Sequence, residues 1–71
     1  MTTMAEFIRV YRESKQFRKP TAPIVLINVD AISFMETTED GQELNVCVIS
    51  PKFERWYYAD RKEIQKVIKF L

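Results

Sequence analysis

The chain has no histidine, a single cysteine, a single glycine and no apolar run longer than four residues. Each shortage removes a class of function. Without histidine, the usual general base at neutral pH and the imidazole metal ligands are missing, so catalysis is not expected. Cys47 has no second cysteine to pair with, and one thiol without histidine supplies too few ligands for a structural zinc. It lies between Val46 and Val48, with no helix start or imidazole nearby to lower its pKa, so it reads as a buried, inert thiol. With Gly41 alone there is no glycine-rich phosphate cradle. No metal and no cofactor are expected. The apolar run Ile24–Ile27 is only strand length, too short to span a bilayer, so no membrane insertion is expected. Residues 1–6, MTTMAE, lack the basic start and apolar core of a secretory signal. A lone thiol without an export signal predicts a reducing, cytoplasmic setting.

Seventy-one residues make one domain, 1–71, with a small core. At that size folding hides about 60% of the surface the unfolded chain exposes. The nine aromatic residues suit such a core, because each removes a large area from water. A second copy of the chain is the other common way to enlarge it, so a homodimer is expected.

Charge is laid out in three blocks. From Ile24 to Ser50 there are five acidic residues (Asp30, Glu36, Glu39, Asp40, Glu43) and no lysine or arginine. The flanks hold all eleven basic residues and carry a net +3 each, which nearly cancels the centre. The acids at Glu36, Glu39, Asp40 and Glu43 lack the alternating ligand spacing of a calcium loop and read as a solvated turn.

Residues 6–12 fit either a strand, with Ile8 and Val10 on one face, or a helix with Met4, Phe7, Ile8 and Tyr11 in line behind a Thr3/Glu6 capping box. Their β-branched and aromatic content favours the strand. Residues 13–23 are polar, and Pro20 and Pro23 hold them out of helical geometry, so a loop is expected. Residues 24–29 read as a strand apolar on both faces. After a kink near Asn28–Asp30 the chain continues as a further strand through residues 30–38. Asp40-Gly41 between β-patterned runs marks a hairpin. Beyond it Leu44, Val46 and Val48 share one face, and Asn45, Cys47 and Ile49 the other. Residues 53–59 form another strand, with Trp56 and Tyr58 opposite Phe53, Arg55 and Tyr57. Asp60 stands as helix N-cap with Glu63 at capping-box spacing, and Ile64, Val67, Ile68 and Leu71 follow as one apolar stripe. The fold class predicted is α+β: a small antiparallel sheet of four to five strands with one C-terminal amphipathic helix packed on a face.

This layout resembles the FlbD-type family of short proteins associated with bacterial flagella and motility. The likeness rests on Phe7–Val10, on Val25–Glu36 with Ile27, Asn28, Ile32 and Glu36 matched, and on Tyr58–Ile68 with Asp60, Glu63 and Ile64 matched. It covers about half the chain and implies a strand-rich body with one terminal helix. The family's early Asn-Gly turn is replaced here by the basic, proline-bearing residues 13–23. The strand–strand–strand–helix order is also similar, more faintly, to the DNA-binding modules of LytTR regulators. Neither likeness implies a catalytic residue.

The expected function is that of a non-enzymatic, self-associating protein-interaction module. Three consecutive aromatics on one strand cannot all face a single helix, so Trp56, Tyr57 and Tyr11 are the candidate exposed anchors. Arg9, Arg12, Arg18 and Lys19 would orient a protein partner. The alternative is a nucleic-acid accessory protein, in which the basic residues of segment 9–19 neutralise phosphates and nearby rings stack on bases.

Overall fold

The computed structural model of the chain describes residues 6–69. The element order is β1 (Phe7–Val10), β2 (Val25–Asn28), a short 3-10 turn (Val29–Ala31), β3 (Phe34–Thr37), β4 (Glu43–Ser50), β5 (Phe53–Asp60) and α1 (Arg61–Gln65). The fold is a small α+β arrangement in which two antiparallel sheets replace the single sheet expected. One is β1–β2 and the other β3–β4–β5. They meet at a single bridge, where Tyr11 and Tyr58 exchange main-chain hydrogen bonds of 2.7 Å in each direction. After that pair the chain turns away into residues 12–24, so the ladder that would have made one continuous sheet stops.

Local chemistry accounts for the turns. At the kink, Asn28 caps the 3-10 turn by accepting from the Asp30 amide at 2.9 Å. Gly41 takes φ 71°, the left-handed region that only glycine enters without steric cost, and closes the β3–β4 hairpin. Asp40 completes that turn, accepting from the Thr38 hydroxyl at 2.7 Å and the Gln42 amide at 3.0 Å. These two bonds, the amide first, hold the Asp40 carboxyl below its ordinary pKa.

The β4–β5 register pairs Leu44 with Ala59, Val46 with Tyr57 and Cys47 with Trp56. Alternation along β4 and β5 therefore sends Leu44, Val46, Tyr57 and Ala59 to one face. There they join Ile8, Val10 and Ile64 in the core, with Val67 and Ile68 packed at its margin. Two expectations fail in detail. β2 is not apolar-buried on both faces, because Leu26 pairs with Arg9 on the outside of its sheet and stays exposed. The helix is shorter than the stripe suggested, and Asp60 makes no side-chain cap bond to it. Ile64 still buries fully, and the chain beyond Gln65 continues as turns held by Val67 and Ile68 amides on the Ile64 carbonyl. The Thr3 half of the suggested capping box and the Leu71 end of the stripe lie outside the described residues.

Candidate interaction surface

The three-stranded sheet has an outer face, and its two ends differ. The register sets Phe34, Cys47 and Trp56 in a row across β3, β4 and β5. Cys47 is buried in the middle of that row, while Trp56 (46% exposed), Phe34 (50%) and the neighbouring Ile49 (54%) remain open. The Phe34 and Trp56 rings meet edge to face, 5.9 Å between centroids at 77°. That is a favourable aromatic geometry. The Trp56 indole N–H donates to Glu54 at 3.1 Å. Burial pushes the Cys47 thiol pKa up, and the Glu54 carboxylate adds to the shift, so the thiol is held in its unreactive form.

The other end carries Glu43, Tyr58 and Asp60, and residues 11–18 fold back over it. Glu43 is 3% exposed, not part of a solvated turn. Its carboxylate accepts from the Ser14 hydroxyl at 2.7 Å and from the Lys15 amide at 3.1 Å to each oxygen. Arg18 lies beside it, with Nη1 3.9 Å from Glu43 Oε2 and Nη2 3.2 Å from Asp60 Oδ1. Its guanidinium carbon stands 3.4 Å from the centroid of the Tyr11 ring. Asp60, expected to cap the helix, is used here instead.

The seven candidate partner-binding residues therefore separate. Arg18 is turned inward and cannot greet a partner. Tyr11 is half-buried under it. Tyr57 is 8% exposed and belongs to the core, because its strand parity matches Ala59 and not Trp56. Arg9 is exposed but engages Glu63 at 3.4 Å. Arg12, Lys19 and Trp56 stay available, and neither Arg12 nor Lys19 makes an ion pair among the described residues.

Arg12 forms a wall common to two concavities. One, of about 370 Å³, is completed by Glu13, Lys19, Thr21, Ala22 and Pro23. The other, of about 470 Å³, is completed by Arg55, Trp56 and Tyr57. Arg55 was not singled out from the sequence, although its place next to Trp56 on a strand end was the available signal. Glu43 was misjudged because nothing local announces that a loop some thirty residues earlier supplies its donors. Among the described residues no cluster of three or more His, Cys, Asp or Glu side chains is placed to hold a metal ion. No described helix is long and apolar enough to cross a membrane.

With that geometry in view, the class is a small α+β fold with an open aromatic sheet face. Comparison with family models, with curated proteins and with solved structures gave no match. The likeness to FlbD-type proteins thus rests on the residues quoted above.

Proposed function

We propose that the chain is a small non-enzymatic protein-interaction module that self-associates through its exposed aromatics, with a basic flank that orients the partner. One observation carries the reading: Phe34, Ile49 and Trp56 stand together at an apolar end of a sheet face, an end that no other described element covers. Large aromatics at the centre of a patch dominate interface energetics, and contiguous exposed apolar surface marks contact sites more often than chance placement does. Arg12 and Lys19 serve as the basic flank. Tyr57 and Arg18, both committed to the fold, take no part. The cytoplasm is the compartment proposed, in keeping with the free thiol of Cys47.

The test is light scattering at micromolar concentration on the full chain and on Trp56→Ala. The expected result is an assembly larger than a monomer that the substitution disperses. A monomer throughout, indifferent to Trp56→Ala, overturns the reading. The nucleic-acid alternative draws less support, because Arg9 and Arg18 of segment 9–19 are engaged by acids of the same chain. Salt-sensitive retention on a polyanion is the behaviour it requires.

A further inference from the structure

β5 has an unpaired edge. Tyr58 gives both its main-chain groups to Tyr11, on the side away from β4. Main-chain groups alternate sides along a strand, so the N–H and C=O of Trp56 and Glu54 point the same way. The chain leaves β5 after Tyr11, and among the described residues no main-chain hydrogen bond reaches Glu54 or Trp56 from that side. The space beside them is the 470 Å³ concavity lined by Arg12, Arg55, Trp56 and Tyr57. Of the other sheet margins, those of β2 and β3 are less suited to pairing. β2 is entered through Pro23, and β3 is four residues long and runs into the acidic hairpin. Short, proline-flanked and charged edges resist strand addition.

We propose that this edge of β5 receives an extended strand of a partner protein in which acidic and apolar residues alternate. The inference rests on the interaction-module reading above and adds the kind of partner and its mode of docking. A strand laid along Glu54–Trp56 projects its side chains alternately to the two faces of the sheet. On one face they meet the guanidinium of Arg55, with Arg12 beside it, which calls for carboxylates. On the other they continue the row of Trp56, Phe34 and Ile49, which calls for aliphatic side chains.

A second copy of the same edge fits poorly. Two-fold pairing centred on Arg55 sets arginine against arginine, and centring on Glu54 sets glutamate against glutamate. Like charges directly opposite destabilise a pair. Centring on Trp56 needs the main-chain groups of Tyr58, which Tyr11 already holds. Nucleic acid fits poorly too, since the Glu54 carboxylate, held at the N–H edge of the indole, sets a negative charge beside the ring a base would stack on.

The experiment uses the full chain and an eight-residue, end-blocked peptide of alternating Glu and Val, followed by amide NMR. Saturable shifts and slowed hydrogen exchange at the Glu54 and Trp56 amides are expected. N-methylating every second peptide residue, on the edge-facing side, should weaken binding at least about tenfold, the equivalent of one or two net main-chain hydrogen bonds. Glu54→Pro removes one outward N–H while sparing the β4 ladder, and should abolish binding with the thermal transition retained. Glu54→Gln, which keeps the N–H, should bind as the parent does. Arg55→Glu should weaken binding at least about tenfold, which is about 1.4 kcal/mol.

Equal binding of the N-methylated peptide overturns the proposal, and so does full binding by Glu54→Pro. Protection of the two amides by self-association without peptide would assign the edge to a second copy, and shifts at the same amides with octathymidylate would assign it to nucleic acid. Either result overturns the proposal. If the edge fails while Trp56→Ala still disperses an assembly, the module reading stands alone. If the peptide pairs with a strictly monomeric chain, self-association fails and the edge stands.

Discussion

Glu43 and Trp56 stand on the same outer face of the three-stranded sheet, and the acid is buried while the indole is nearly half exposed. Their ends of the face differ in what the chain lays over them. Residues 11–18 reach the Glu43 end and bring a hydroxyl and an amide that hydrogen-bond the carboxylate, and a guanidinium 3.9 Å away that balances its charge. Nothing in the described chain reaches the Trp56 end. Burial here follows connectivity before hydrophobicity: a charge can be taken from water when its partners arrive with the cover, and an apolar ring stays in water when no cover arrives. The inner face of the same sheet shows the third case, apolar residues covered by apolar ones.

The largest break in this comparison comes from the inner face. Leu44→Ala should cost about 3 kcal/mol through lost burial and the cavity left behind, a large part of the stability of so short a chain. Urea denaturation should show a markedly lower midpoint. Next is Glu43→Ala, expected to cost about 2–3 kcal/mol. It strips the Ser14 hydroxyl and Lys15 amide of their acceptor and leaves Arg18 with Asp60 and the Tyr11 ring alone. Glu43→Gln should recover part of that loss in the same measurement, since an amide oxygen still accepts. Trp56→Ala should lower the unfolding free energy read from urea denaturation by less than about 1 kcal/mol while dispersing the assembly. If instead it destabilises the monomer as much as Leu44→Ala does, the outer face is core and not interface.

The smallest effect belongs to Asp40. Its folded-state pKa is lowered, so it favours the folded state above its ordinary pKa. That contribution is lost as pH falls through the lowered value, in the acid limb below the usual carboxylate range. Asp40→Asn should lower the neutral plateau slightly and make that limb of the unfolding profile shallower, so that variant and parent converge at low pH. A steeper acid limb in the variant would contradict the sign.

Where a signal is local, the residues announce it. Asp40-Gly41 needs a left-handed turn, and the hairpin is there. The alternation of Leu44, Val46 and Val48 against Asn45, Cys47 and Ile49 predicts the two faces of β4, and the parity of β5 follows. Tyr57 shows the limit. Parity placed it opposite Trp56, but which parity meets the core depends on where Ile8, Val10 and Ile64 lie, and no sequence period states that. Arg18 shows the limit again. Among five cations in segment 9–19, only the path of the loop selects the one that turns inward.

Order and type of element, the hairpin and the apolar stripe around Ile64 were thus set by the residues themselves, since turn chemistry and side-chain period act between near neighbours. The split into two sheets, the burial of Glu43 with Arg18 and the bare edge of β5 were decided by the tertiary structure. Each depends on residues far apart in the chain meeting or failing to meet. Such a meeting balances desolvation against contact, and that balance is struck only once the chain has closed on itself.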